Sequence, residues 1–357
     1  MTWSTRLLPG IAPDGGPVIS VLAKRTYLLR HGEIAVPDPG PQLPWVEADE
    51  YLGTGNPALE AVRVQSDLTA WKPGTDVAVI GKAHAPRGKQ ARFFDAGIQI
   101  GAFRKMVRVF GDRKIRPATL GFDFAEPEPF DSMPLHYGLA YGGRHKIGEL
   151  ETTYPRNPVG RGFAVRADIE DLAGLQLPNL ENPAQLLTPQ NLVLKSLDRW
   201  TEAPRPWALG YTGRNFHPRV TFAGMPPDLA VESEVGRLRS ASESDGSGDQ
   251  PPVPVLNPDY HRGASEGLSL PFLRGDEPVA LGYMDPDRPQ FEFRLPGAPN
   301  GVFLDVGNGP EWMEPVLQDV VVFKGADRLA MIWRGSCRYD GPESMAAWTR
   351  VETGVGS

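Results

Sequence analysis

The regular alternation of apolar and polar residues is the clearest signal along the chain. In residues 94–102 every second residue is apolar, and the positions between them are polar or glycine. A second alternating segment, residues 290–295, stops at Pro296. A period of two places all the apolar side chains on one face of an extended strand. Both segments are therefore predicted to be half-buried strands, and the glycines in the first are possible sites of β-bulges.

Shorter, continuous apolar runs add to this β-rich pattern. Residues 316–323 and 329–333 are separated by Lys324-Gly325-Ala326-Asp327-Arg328, a spacing that predicts a hairpin. Further strands are predicted at 18–29, 77–83 and 106–110. Helical patterns are few, at 189–200 and 342–351. We therefore predict a mainly β fold, with antiparallel sheets in a sandwich-like or barrel-like arrangement and few short helices.

One segment breaks the pattern. Residues 228–252 are rich in small polar residues, which cannot bury enough apolar area to offset the entropy lost on ordering. We interpret 228–253 as a flexible polar linker between an N-terminal β-rich portion, 1–227, and a C-terminal β-rich portion, 254–357. The C-terminal portion is expected to pack on the first.

Composition and charge exclude several classes of function. Lys and Arg total 37 against 44 Asp and Glu, and the net charge is −7, so nucleic acid is not an expected partner. Cys337 is the single cysteine, which rules out an intrachain disulfide. The first ten residues lack the apolar stretch of a secretory leader, and no apolar run approaches the length of a membrane helix. A cytoplasmic protein without membrane insertion is expected.

The residues that carry common chemistries do not form a recognised catalytic or metal motif. Cys337 has arginines nearby that could lower its pKa, but no base is identified for it. The six histidines lack the spacing of a zinc site, and His84, directly after a predicted strand, fits a loop histidine better than a site residue. Residues 76–83 resemble the end of a phosphate-binding loop, but Asp76 replaces its first glycine and Ala83 its hydroxyl.

Several segments read together carry a resemblance to one family. They are residues 75–86, 103–113, 128–135, 139–143, then Asn157-Pro158-Val159-Gly160-Arg161-Gly162-Phe163, and then residues 177–183, 218–219, 222–224 and 273–277. Taken together in chain order, these segments resemble the type VI secretion adaptor family, long catalogued only as a domain of unknown function. The resemblance spans roughly residues 15 to 335.

The resemblance implies a non-enzymatic, chaperone-like role without cofactor or metal. Such an adaptor binds an effector protein, often through the effector's PAAR-bearing or N-terminal part, helps to load it onto the VgrG spike, and stays in the cytoplasm. Eight motif residues are candidates for partner binding or for structural support: Asn157, Gly160, Arg161, Gly162, Phe163, Glu181, Arg113 and Arg219. The glycines suit a tight loop, and Arg161 is positioned to pair with a carboxylate such as Glu181.

Two other classes of function stay open. A β-rich chain with scattered tryptophans could bind or hydrolyse carbohydrate, since paired carboxylates need only proximity in three dimensions. The chain could also be a structural part of the secretion spike itself. Glycan binding, or recovery of the chain in sheared particles, would separate these from an adaptor.

Overall fold

The computed structural model describes residues 3–12, 16–119, 121–147, 150–165, 172–194, 197–223, 257–305, 310–338 and 352–356. In chain order its strands are β1 (Ser4–Ile11), β2 (Pro17–Leu28), β3 (Val36–Pro37), β4 (Glu50–Tyr51), β5 (Val62–Val64), β6 (Thr75–Ile80), β7 (Lys82–His84), β8 (Phe93–Ile100), β9 (Phe103–Phe110), β10 (Ile115–Pro117), β11 (Phe122–Phe124), β12 (Ser132–Pro134), β13 (Tyr141–Gly142), β14 (Arg144–Ile147), β15 (Leu150–Thr153), β16 (Arg161–Gly162), β17 (Ala164–Val165), β18 (Leu180–Glu181), β19 (Val193–Leu194), β20 (Ser269–Leu270), β21 (Pro278–Gly282), β22 (Gln290–Arg294), β23 (Gly301–Asp305), β24 (Pro310–Met313), β25 (Val316–Phe323), β26 (Arg328–Arg338) and β27 (Glu352–Gly356). The predicted β-rich fold class is confirmed.

The largest sheet has seven strands, in the order β1-β2-β26-β25-β6-β20 with β3 paired to the end of β2. All its pairs are antiparallel except β25 and β6, which run parallel. Its central strands are buried on both faces: Val77 and Val79 face the main core, while Ala78 faces a second cluster formed with Val62 and Tyr211. Burial on both faces explains why these strands read as continuous apolar runs and not as alternating ones.

The second sheet has five antiparallel strands in the order β18-β9-β8-β21-β22. Residues of β8 and β22 alternate between buried and more exposed positions, as predicted. The buried face of this sheet shares one core cluster with β6, β25 and β26, so the two sheets pack as layers of a sandwich.

The predicted bulges in β8 are wrong, because β8 and β9 pair in unbroken register from Phe93–Phe110 to Ile100–Phe103. Gly97 instead allows a close approach: a Cβ there would lie 2.5 Å from the Lys105 carbonyl oxygen. A register shift does occur in β25, at Gln318 between Leu317 and Asp319. The hairpin predicted at 316–333 is confirmed, with Asp327 in the left-handed conformation at its turn.

Helices are short. The two described α-helices are α1 (Pro189–Leu192) and α2 (Arg219–Phe222), and short 3-10 helices occupy Pro57–Leu59, Pro86–Gly88, Tyr137–Leu139, Leu197–Glu202, Pro258–His261 and Lys324–Ala326. The helix predicted at 189–200 starts with a Thr188 capping box but ends at Leu192, because β19 then pairs in parallel with β17. The helix predicted at 342–351 lies outside the described residues. No helix in the described ranges is long and apolar enough to cross a membrane.

The strands on either side of the predicted linker share sheets. β25 and β26 pair with β6 and β2, and β21 pairs with β8. Both large sheets therefore contain strands from the 1–227 and the 254–357 portions, and the two portions share one core. Most of the linker at 228–253 lies outside the described residues.

A buried charged network ties the two portions together. The Lys72 ammonium lies 3.1 Å from Asp76 on β6 and 2.5 Å from Asp319 on β25. Asp76 also accepts hydrogen bonds from the Gly263 backbone and from the Ser269 hydroxyl. One lysine thus bridges carboxylates on two adjacent parallel strands.

Candidate functional site

The Asn157–Phe163 loop is a buried structural turn. Asn157 is fully buried, and its amide donates to the carbonyls of Tyr137 at 2.9 Å and Tyr141 at 3.0 Å. A Cβ on Gly160 would lie 2.4 Å from the Asn157 amide nitrogen, and Gly162 has φ of +88°. The glycines are therefore required by close packing and by backbone conformation.

The predicted pairing of Arg161 with Glu181 is wrong. Glu181 is buried and pairs with Arg113, which lies over the ring of Phe110. Its second carboxylate oxygen accepts the Leu187 backbone N–H at 2.7 Å, so both of its oxygens are occupied. Burial raises the pKa of Glu181, and the charge of Arg113 opposes that effect.

Arg161 makes different contacts. Its guanidinium donates to the Asn179 side chain at 3.0 Å and lies 4.0 Å from the Asp112 carboxylate. Its side chain is 31% exposed, whereas Arg113, Glu181, Asn157 and Phe163 are buried. Of these motif side chains in the 113–181 region, Arg161 is the one accessible to a partner.

Arg219 lies apart from this loop, on α2. It is buried, and it donates to the carbonyls of Tyr260 at 3.0 Å and Thr212 at 2.6 Å. Burial lowers its pKa to about 10, with a contribution from the nearby charge of Arg214.

One cleft on the described surface was not predicted from the sequence. It has a volume of about 810 Å³ and lies beyond the carboxyl ends of β6 and β25. Because these strands run parallel, their carboxyl ends meet at one edge, where Ile80-Gly81-Lys82 and Phe323-Lys324-Gly325 turn away from the sheet. Its volume is in the ~300–1,000 Å³ range of ligand sites.

The floor of the cleft is apolar and its rim is charged. Val62, Val79, Leu135 and Met284 are buried side chains that line it. The rim combines the exposed apolar side chain of Leu52 with exposed charges of both signs: Arg63, Lys82, Asp287 and Arg288. Such a surface suits an apolar segment flanked by polar groups.

An ion triplet centred on the buried Lys324 lies in one wall of the cleft. The Lys324 ammonium lies 2.9 Å from Asp285 and 2.5 Å from Asp327, and 4.1 Å from the centre of the Phe291 ring. Burial acts to raise the pKa of Asp285, but hydrogen bonds from Lys324 and from the Asp287 backbone outweigh it and lower the pKa. The Arg288 guanidinium also lies 3.8 Å from Asp285 and offsets the second negative charge of the triplet.

Two histidines, His84 and His136, line the cleft. Burial lowers the pKa of His136 to about 4, assisted by the charge of Arg161. Burial also lowers the pKa of His84, which ends β7 and was predicted as a loop histidine. The strand β7 directly follows Gly81, so no helix N-terminus is available at the sequence that resembled a phosphate loop.

Cys337 reactivity and metal binding are the two remaining kinds of chemistry considered from the sequence. Burial raises the pKa of the Cys337 thiol, followed by the charge of Glu311, so the predicted lowering by arginines is wrong. Within the described ranges, no group of three or more His, Cys, Asp or Glu side chains is arranged to hold a metal ion.

The fold and cleft together define a β-sandwich protein with an open, apolar-floored surface cleft. The chain belongs to the family described as an uncharacterized protein conserved in bacteria (DUF2169), whose model matches residues 14–334. No curated protein and no solved structure matches it. Family membership thus agrees with the span of the sequence resemblance.

Proposed function

We propose that the protein is a non-enzymatic cytoplasmic adaptor that binds a type VI secretion effector, or its PAAR-bearing part, and helps to load it onto the VgrG spike. The ordered motifs described above support this role, and they fall within the span matched by the family. The buried positions of most motif residues fit a structural framework more than a reactive site. Recognition then depends on surface shape and charge.

The cleft at the carboxyl edge of β6 and β25 is the observation that supports the proposal most strongly. Its floor is apolar, and its rim carries both signs of charge. An extended or helical segment of an effector can bury apolar side chains on this floor while its polar groups meet the rim. Leu52, at 47% exposure, is the apolar rim residue that such a segment would cover.

Co-expression with effectors encoded beside the gene tests the proposal directly. We expect a stable complex by size-exclusion chromatography at micromolar concentration, and loss of delivery of that effector on deletion while the apparatus still assembles. Separate elution of the two proteins would count against the adaptor role. Recovery of the chain in sheared particles would instead favour a structural part of the spike.

A point substitution tests the cleft. Leu52→Asp places a charge where an apolar contact is expected and should weaken effector binding by about tenfold or more. Ile11→Asp is a matched control, since Ile11 is also an exposed aliphatic residue, at 58%, but lies outside the cleft. Equal binding by both variants would remove the cleft from the interface.

The carbohydrate alternative has one supporting observation. Trp312 on β24 is 62% exposed, and an exposed indole can stack on a sugar ring. A glycan array with the wild type and Trp312→Ala tests it: binding that depends on Trp312 would favour this alternative over the adaptor.

A further inference from the structure

A second cavity, separate from the cleft, is rich in arginine. It has a volume of about 450 Å³, and four arginines line it: Arg156, Arg205, Arg219 and Arg262. Asp259 and Glu266 line it as well, which leaves an excess of two positive charges. No residue lines both this cavity and the cleft.

Three buried nitrogen atoms of the lining residues have no hydrogen-bond partner. They are Nη2 of Arg219, Nε of Arg262 and Nδ1 of His217. Buried polar groups without partners are rare in folded proteins, because each loses its bonds to water without replacement. The two arginine nitrogens can only donate, and Nδ1 of His217 donates in the tautomer that carries its proton there, so one ligand that accepts hydrogen bonds would satisfy all three.

Arg219 carries the strongest indication. It is only 4% exposed, and its other two nitrogens already bond to backbone carbonyls. Asp76 and Asp49 attract it, but Asp76 pairs with Lys72, which it shares with Asp319, and Asp49 pairs with Arg214; within the described residues Arg219 itself forms no ion pair with a carboxylate. Its charge is therefore buried without a dedicated counter-ion, a costly arrangement that an anion would relieve.

The other charges of the cavity leave room for one anion. Glu266 pairs with Arg205, and Asp259 lies 3.6 Å from Arg262. Arg156 donates to the Thr201 carbonyl at 3.1 Å and has no carboxylate partner among its described contacts. The surplus charge thus lies with Arg219 and Arg156.

The walls distinguish between kinds of anion. Tyr137, Phe216, Phe222 and two prolines line the same cavity. Inorganic phosphate would leave these apolar walls without contacts, whereas a carboxylate attached to a hydrocarbon or aromatic body would cover them. Guanidinium groups match the planar carboxylate well.

We propose that this cavity is a carboxylate-binding site, in which Arg219, Arg262 and His217 donate to the carboxylate and the aromatic walls hold an apolar body attached to it. The ligand is either a small organic acid or the C-terminal carboxylate of a polypeptide. The site goes beyond the proposed adaptor role, and it is tested with the full-length protein alone.

Isothermal titration calorimetry with 3-phenylpropanoate tests the chemistry. We expect it to bind at least about tenfold more tightly than its neutral analogue 3-phenylpropanamide, since charge-assisted hydrogen bonds are lost in the amide. N-acetyl-glycyl-phenylalanine with a free C-terminus, compared with its amidated form, distinguishes the two sources. Tighter binding of the free peptide than of 3-phenylpropanoate would identify a polypeptide terminus, and the reverse order a small acid.

Variants locate the site. Arg219→Gln should weaken 3-phenylpropanoate binding by about tenfold or more. If that variant does not fold, Arg205→Gln replaces it: Arg205 is 53% exposed, and its loss should weaken binding by about threefold. Arg274→Gln, at 80% exposure and outside the cavity, is the control and should bind as wild type.

Three results would overturn the proposal. One is no measurable binding of either carboxylate, and another is equal binding of the acid and the amide. The third is binding by the folded cavity variants that matches wild type. Inorganic phosphate that displaces 3-phenylpropanoate at equal concentration would also overturn the preference for a carboxylate.

Discussion

Lys105 offers a direct test of the electrostatics of the core. It is 2% exposed, its ammonium donates to the Ser265 hydroxyl and to the Glu266 carbonyl, and it lies 3.9 Å from the centre of the Trp207 ring. Burial lowers its pKa to about 7, against a smaller opposing effect of the Glu266 charge. The substitution Lys105→Met removes the charge while keeping a similar unbranched shape.

The pKa difference fixes the sign and size of the expected effect. Unfolded Lys105 titrates near 10.5 and folded Lys105 near 7, so between these values the unfolded state binds more protons and the stability of the wild type rises with pH. Below pH 7 both states are protonated, and the folded state bears the full cost of burying the charge. Of the pH range from 6 to 9, about two pH units lie above the folded pKa of Lys105. At ~1.4 kcal/mol per pH unit, the free energy of unfolding of the wild type should rise by about 3 kcal/mol over this range.

Denaturant unfolding of the wild type and of Lys105→Met at pH 6, 7, 8 and 9 measures this. Subtracting the unfolding free energy of the variant from that of the wild type cancels the titration of the rest of the chain. This difference should shift by about 3 kcal/mol in favour of the wild type from pH 6 to pH 9. Lys89→Met, at an exposed position, controls for removal of a lysine. A difference that is constant with pH, or that shifts in the opposite direction, would refute the reasoning.

Two further predictions concern the framework. Lys72→Met should lower the free energy of unfolding, measured by urea titration, by about 3–5 kcal/mol, because it leaves the carboxylates of Asp76 and Asp319 buried without a cation. Adding Asp319→Asn should restore part of the lost stability. An unaltered unfolding midpoint for Lys72→Met would contradict the role given to the network. Gly160→Ala should cost about 1–3 kcal/mol and lower Tm, since its Cβ would lie 2.4 Å from the buried Asn157 amide. Gly325→Ala, where nothing lies within 4 Å, should leave Tm nearly unchanged.

The sequence predicted strands best where local pattern and tertiary environment agree. Gln290–Arg294 alternates in sequence and in burial, because one face of its sheet meets the core and the other does not. The 316–333 hairpin could also be predicted, since its turn residues separate two strongly apolar runs. The helix at 189–200 failed because strand pairing of Val193–Leu194 overrides local helical preference after one turn.

Site residues were harder to predict than strands. Arg161 and Glu181 looked complementary in sequence, but Arg113 is the buried partner of Glu181, and charge complementarity alone cannot choose between two arginines. The cleft combines segments near residues 52, 80, 135, 285 and 324. One local sign of this cleft was present in the sequence: a glycine follows each of the two parallel strands, at Gly81 and Gly325. These glycines predict turns, but they do not predict that the two turns lie at the same edge of one sheet.

By itself, the sequence determined the β-rich class, the strand positions with strong periodicity, the tight glycine loop and the family. Those features depend on the period of side chains along an extended backbone and on local conformational preference, both of which are encoded in adjacent residues. Only the tertiary structure decided that β6 and β25 lie side by side in parallel, that Lys72 joins them, and that Arg219 is buried without a counter-ion. These depend on contacts between residues that are far apart in the chain, such as the 247 positions between Lys72 and Asp319, and no local pattern specifies which distant segments meet.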